Sequence, residues 1–88
     1  MRLDDDVLDE LQKRLRRIEG QVRGIQNMLA DARECREVVA QVAAASHALD
    51  QVGFRLLVAG ITSCLEDPEQ AAAGYTIAEI ERLFLKLA

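Results

Sequence analysis

The chain has 88 residues, half of them apolar but only 3% aromatic, and a net charge of −4. This length is that of one small domain, residues 1–88, and no apolar run is long enough to span a membrane. The negative balance excludes generic nucleic-acid binding over the whole surface and leaves open a local basic patch.

Alanine, leucine and valine dominate, and the aromatic residues are Phe54, Tyr75 and Phe84. Such a composition favours helix over sheet. A chain this short made of long helices does not wrap its own core, so oligomer partners are expected. The opening stretch MRLDDDVLDE is acidic and lacks an apolar centre, so it does not read as a signal peptide. The expected location is the cytoplasm. In that reducing compartment two cysteines are more often ligands, sensors or inert residues than a permanent disulfide.

Asp4, Asp5, Asp6, Asp9 and Glu10 suit the positive end of a helix dipole. The spacing predicts a first helix over about 5–30. Its apolar seam is Leu8, Leu11, Leu15, Ile18, Val22, Ile25 and Leu29, in steps of three and four. The opposite side carries Lys13, Arg16, Arg17 and Arg23, with Arg14 on the flank and Gln21 in the same stretch. Gly20 and Gly24 leave that side low and open. Between residues 12 and 24 five basic residues accompany one acid, Glu19. A solvated helix face has this composition. So does a phosphate-backbone binder, whose stripe a symmetric oligomer would repeat across one surface. No winged-helix strands and no short helix-turn-helix pair are present, so DNA would meet an unusual surface.

Asp31-Ala-Arg-Glu34 has the pattern of a capping box and predicts the start of a second helix over about 33–66. Apolar or small residues recur at Cys35, Val38, Val42, Ala45, Leu49, Val52, Leu56 and Ala59, again in steps of three and four. A cysteine stands at each end. Along an unbroken helix Cys35 and Cys64 are roughly 43 Å apart at about 1.5 Å per residue. A disulfide needs Cα atoms within about 7 Å, and a metal–thiolate bond is about 2.3 Å. The two cysteines of one chain then never meet. An antiparallel copy of the helix, with the dyad near Leu49 and Asp50, sets Cys35 beside Cys64 of the partner subunit, twice by symmetry. The plain alternative is that both are small buried hydrophobes; their near-symmetric placement on one face weighs against it.

Ser46, Gly53 and Gly60 share the cysteine side. Glycine in a helix costs about 1 kcal/mol relative to alanine, so this pair predicts a close approach of backbones. Cys35 falls in the first turn, where the dipole favours a thiolate. Arg33 and Arg36 help, Glu34 and Glu37 oppose, and Cys35 is expected to be the more nucleophilic thiol. His47, the one histidine, projects away from the seam and reads as a surface residue.

Asp67-Pro68 ends the second helix near Glu66, and residues 67–75 read as a linker. Thr76-Ile-Ala-Glu79 is a second capping box. It opens a short third helix over about 77–87, packed through Ile77, Ile80, Leu83, Phe84 and Leu87. The expected fold is all-α, two long helices and one short. Two chains would form an antiparallel four-helix bundle with the third helices outside.

RLRRIEGQVRGIQNML at residues 14–29, followed by Cys35, Gln41-Val-Ala-Ala and Cys64, resembles the copper-sensing repressor family (CsoR, with its RcnR, FrmR and CstR branches). The resemblance covers about residues 8–66. It implies a disc-shaped dimer of dimers, a homotetramer, that binds double-stranded operator DNA and releases it when an effector binds. The family's basic surface maps onto Lys13, Arg14, Arg16, Arg17 and Arg23, with Gln21 among them. Its inter-subunit effector site maps onto Cys35 and Cys64 of the partner subunit. Copper sensors of the family place a histidine four residues before the second cysteine, where this chain has Gly60. Nickel and cobalt branches carry histidines at both later positions. The formaldehyde branch keeps the first of these and has no last cysteine. The pattern here is similar to the persulfide-sensing CstR branch.

The expected function is therefore a transcriptional repressor that holds DNA when reduced. It is released when persulfide or polysulfide links Cys35 to Cys64 of the partner subunit. No cofactor is needed for this. One alternative keeps the repressor and makes Cu(I) the effector, on the same two thiolates. Another is a thiol protein that carries sulfur or metal and binds no DNA. An enzyme is not expected, since no metal triad, catalytic histidine pairing or phosphate loop is present.

Overall fold

The computed structural model describes residues 3–66, 69 and 76–87. They form α1 (Asp5–Ala30), α2 (Cys35–Glu66) and α3 (Ile77–Leu87), with no strand among the described residues. Both long helices and the short one stand where the apolar periodicity puts them. The linker expected at 67–75 lies, apart from Glu69, outside the described residues.

The turn between α1 and α2 departs from expectation. Asp31 does not cap α2; it is the C-terminal cap of α1. Arg33 N–H donates to the Met28 carbonyl at 3.0 Å and Ala32 N–H to the Leu29 carbonyl at 3.2 Å, the paired bonds of a Schellman ending. Ala32 occupies the left-handed position of that ending, at φ 52°. Glu34 is what opens α2. Its carboxylate accepts from Arg36 N–H at 3.1 Å and its carbonyl from Val38 N–H at 3.3 Å. The second helix so begins at Cys35 rather than at 33. The turn is too short for Asp31 to serve both helices, and closing α1 takes it. The box at Thr76 behaves as expected: its hydroxyl accepts from Glu79 N–H at 3.2 Å. The Glu79 carboxylate turns to Arg82 at 2.9 Å.

α1 and α2 form an antiparallel hairpin around Leu11, Ile18 and Val52, with Leu3, Val7 and Ala48 against them. α3 packs on α2 alone, where Ile80 is 3% and Leu57 7% exposed. A Cβ built on Gly53 would stand 3.0 Å from the Leu87 side chain. The space left by this glycine is therefore filled by a side chain of α3, where the spacing predicted a close approach of backbones.

The three helices lie side by side in a body of 53 × 25 × 14 Å. A helix with its side chains is about 10–12 Å across, so the protomer is one helix thick. Its radius of gyration is 16.9 Å, against about 12 Å for a compact chain of this length. The seam of α1 is split accordingly. Leu11 and Ile18 are buried on α2, while Leu8, Leu15, Val22 and Leu29 are exposed. On α2, Ala45 and Val52 are buried and Val42, Leu49 and Leu56 are exposed.

Replacing Ala32 by glycine removes the left-handed strain, which costs an L-residue roughly 1–2 kcal/mol. Part of that gain is offset by the freer unfolded chain. Chemical denaturation of Ala32→Gly is expected to show a stability gain of about 0.5–1 kcal/mol, and a loss would rule out the Schellman ending.

Candidate functional site

Four of the six residues expected at the basic face come together. Lys13, Arg14, Arg17 and Gln21 of α1 line a shallow cleft of about 450 Å³ with Glu10, Ile18, Ala48 and Gln51. Ala48 and Gln51 belong to α2, so the cleft is built by both helices. Arg16 lies outside it. Arg23 borders a separate shallow groove with Leu15, Ile18, Glu19 and Val22, on the exposed apolar side.

The charges of this face are not all held in the same way. Lys13 Nζ is 3.1 Å from Asp9, and Arg14 is 3.1 Å from Glu10, each one helical turn apart. Among the described residues Arg16, Arg17 and Arg23 make no ion pair. Lys13, Arg17, Gly20 and Gly24 follow one another along a single line of the helix, at steps of four, three and four. A Cβ built on Gly20 or Gly24 meets nothing within 4 Å. The ridge beside the cations is therefore bare, and a rigid polyanion can approach its backbone.

Glu10 is held from both helices. Arg55 of α2 donates to Oε2 at 2.8 Å, and Arg14 stands at Oε1. The hydrogen bond from Arg55 draws the Glu10 carboxyl below its ordinary value, with the charges of Arg55 and Arg14 adding to it and desolvation opposing. Sequence reasoning placed Glu10 only among the acidic residues at the start of α1 and did not single out Arg55, Ala48 or Gln51. The spacing of Asp9 to Lys13 and Glu10 to Arg14 is legible in the sequence as helical ion pairs. The α2 residues are not, because their place depends on the register between two helices.

The thiols are set far apart. α2 runs without a break for 32 residues, so Cys35 and the backbone of Cys64 are roughly 43 Å apart along it. One protomer does not bring them together. Cys35 is the first residue of α2, exposed and free. It stands at the positive end of the helix, between the cap made by Glu34 and the Arg33–Glu37 ion pair at 2.9 Å. Gly60, one turn before Cys64, is buried. No group of three or more His, Cys, Asp or Glu able to hold a metal occurs among the described residues. His47 is exposed, with its Nε2 3.3 Å from Gln51 Nε2. Along the helix it is roughly 18 Å from Cys35 and 26 Å from Cys64, too far to serve either.

A family model described as metal-sensitive transcriptional repressor matches residues 8–86. The chain is 38% identical over 79 residues to the copper-sensing transcriptional repressor CsoR of Bacillus subtilis (strain 168), covering 89% of this chain and 78% of that protein. It is 42% identical over 57 residues to the copper-sensing transcriptional repressor RicR of Mycobacterium tuberculosis, covering 65% of this chain and 59% of that protein. Among solved structures, CsoR with Cu(I) from Geobacillus thermodenitrificans NG80-2 matches with a TM-score of 0.76 at 33% identity, over 96% of this chain and 85% of that one. The nickel-responsive transcriptional regulator InrS matches with a TM-score of 0.77 at 34% identity, over 100% of this chain and 98% of that one.

The Glu10 carboxyl is expected to titrate below 4.5 in an NMR pH series and to move back toward it in Arg55→Gln. Because its folded value is depressed, its contribution to stability is present above the unfolded value and lost as pH falls through the folded one. The stability deficit of Arg55→Gln should accordingly be full at neutral pH and shrink on the acid side of 4.5.

Proposed function

We propose, for a chain that belongs to the metal-sensitive transcriptional repressor family, that it binds operator DNA through the α1–α2 basic face and lets go when its two thiols are joined across a pair of protomers. It is a repressor by family and not an enzyme. The effector we assign is sulfane sulfur, as persulfide or polysulfide. The observation that carries this choice is Gly60: one turn before Cys64, where a third metal ligand would project, there is no side chain.

The exposed rows of the protomer support the pairing. Val42, Leu49 and Leu56 recur at heptad spacing on α2 and are 48%, 53% and 41% exposed. Their centre is Leu49, beside the midpoint of Cys35 and Cys64 between Leu49 and Asp50. An antiparallel copy of α2 would set Val42 against Leu56 of the partner subunit and Cys35 near Cys64 of the partner subunit. The exposed α1 row Leu8, Leu15, Val22 and Leu29 supplies further contact surface for a dimer of dimers.

The sulfur chemistry then balances. The Cys35 thiolate attacks a persulfide RSSH at its sulfane sulfur, forming Cys35–S–SH and releasing RS⁻. The Cys64 thiolate of the partner subunit attacks the inner sulfur and expels HS⁻, leaving a disulfide. Two thiols lose two electrons, and one sulfane sulfur leaves as sulfide. A second sulfane sulfur retained in the bridge gives a trisulfide, which spans a wider gap. Joining opposite ends of two long helices releases DNA only if it favours one of two helix arrangements.

Cu(I) is the second reading, favoured by the copper-sensing relatives and by the Cu(I) form of the similar structure. The donor set fits it in part. Cys35 and Cys64 of the partner subunit offer two soft thiolates, but Gly60 adds none. Bound there, Cu(I) would hold the two thiolates together, as the sulfur bridge does.

DNA binding is tested by the affinity of charge-reversed α1. Arg16→Glu with Arg17→Glu is expected to abolish binding, and neutralising Arg17 alone to reduce the salt slope by about 1. Unchanged affinity would remove α1 from the interface. The effector is tested by intact mass under non-reducing conditions, with inorganic polysulfide and Cu(I) in parallel. A covalent dimer, bridged by a disulfide or with extra sulfur in a trisulfide, and lost DNA binding are expected. Monomer masses, with release only by stoichiometric Cu(I), would instead establish copper.

A further inference from the structure

We propose that Glu10 is a positioning residue that ties Arg14, on the DNA face, to α2 through Arg55. This deepens the repressor reading and rests on it. Among the described residues, Arg55–Glu10 joins residues 45 apart in sequence, whereas the other ion pairs join residues three or four apart. The carboxylate divides its oxygens between the helices: Oε2 takes Arg55 of α2 at 2.8 Å, and Oε1 takes Arg14 of α1 at 3.1 Å. Arg14 in turn lines the basic cleft beside Lys13, Arg17 and Gln21.

The chain of charges has a mechanical consequence. An arginine side chain gives up rotamer freedom when it is held. Glu10 supplies that restraint only while Arg55 keeps the carboxylate in place. Arg55 rides on α2, the helix whose two ends carry the thiols. A shift of α2 against α1 draws Arg55 from Glu10 and frees Arg14 from its place on the DNA face. The arrangement holding the pair binds DNA, and the linked arrangement loses it. The depressed Glu10 titration is the signature of the paired state. Exposed ion pairs are individually weak, so the effect per protomer is modest; the copies in an oligomer act together.

The test is the ratio of DNA dissociation constants in the linked and reduced forms. It is measured with a duplex selected in vitro by the wild-type chain and with inorganic polysulfide or Cu(I) as the linking agent. A uniform change in stability or net charge shifts both constants and leaves the ratio alone. Glu10→Gln and Arg55→Gln should each lower the ratio by roughly three- to tenfold. The double variant should lower it no further, since both break one link. Arg55→Lys should retain most of it, because Arg55 reaches Glu10 through a single nitrogen. An undiminished ratio in both glutamine variants overturns the Glu10 link and leaves the repressor intact. A wild-type chain that binds no duplex overturns the DNA-binding reading, and one released by neither agent overturns the effector reading; either takes the link with it.

Discussion

The continuity of α2 governs this molecule. A single helix of 32 residues separates its terminal cysteines by most of the 53 Å length of the protomer. No intramolecular disulfide or shared metal is compatible with that separation. Any chemistry that uses both thiols has to be done between chains. The midpoint of the two positions, between Leu49 and Asp50, lies beside the centre of the exposed Val42, Leu49 and Leu56 row. One helix thus carries both cysteines and the apolar surface that would bring a second copy to them.

The thinness of the protomer has the same origin. Three helices laid side by side give α1 a neighbour on one flank and α2 one on each, and leave their broad faces uncovered. A seam in steps of three and four presents two adjacent rows. In α1 the row of Leu11 and Ile18 is used within the chain, and the row of Leu8, Leu15, Val22 and Leu29 is left. The small core at Leu11, Ile18 and Val52 holds the hairpin in register, and that register creates the basic cleft. Moving α2 by one turn would replace Ala48 and Gln51 in the cleft and part Arg55 from Glu10.

The individual caps show how far local chemistry can be read. Thr76-Ile-Ala-Glu79 and Asp31-Ala-Arg-Glu34 have the same pattern, yet only the first opens a helix by its first residue. Asp31 follows α1 directly, and its backbone completes that helix instead of opening the next. The glycines of α2 carry a similar lesson. Gly53 does mark a close approach, but the partner is the side chain of Leu87. A glycine records that something comes near and says nothing of what it is.

The sequence by itself determined the three helices, their amphipathic rows, the basic line on α1 and the impossibility of a thiol pair within one chain. These follow from the period of the helix and its fixed rise per residue, which are local properties. Only the tertiary structure decided which half of each apolar row is buried, that α3 seats on Gly53, and that Arg55 and Gln51 join the α1 face. Those outcomes depend on the register and flank by which one helix lies on another, set by the packing of Leu11, Ile18 and Val52. Residues 45 positions apart are brought to 2.8 Å by that packing alone.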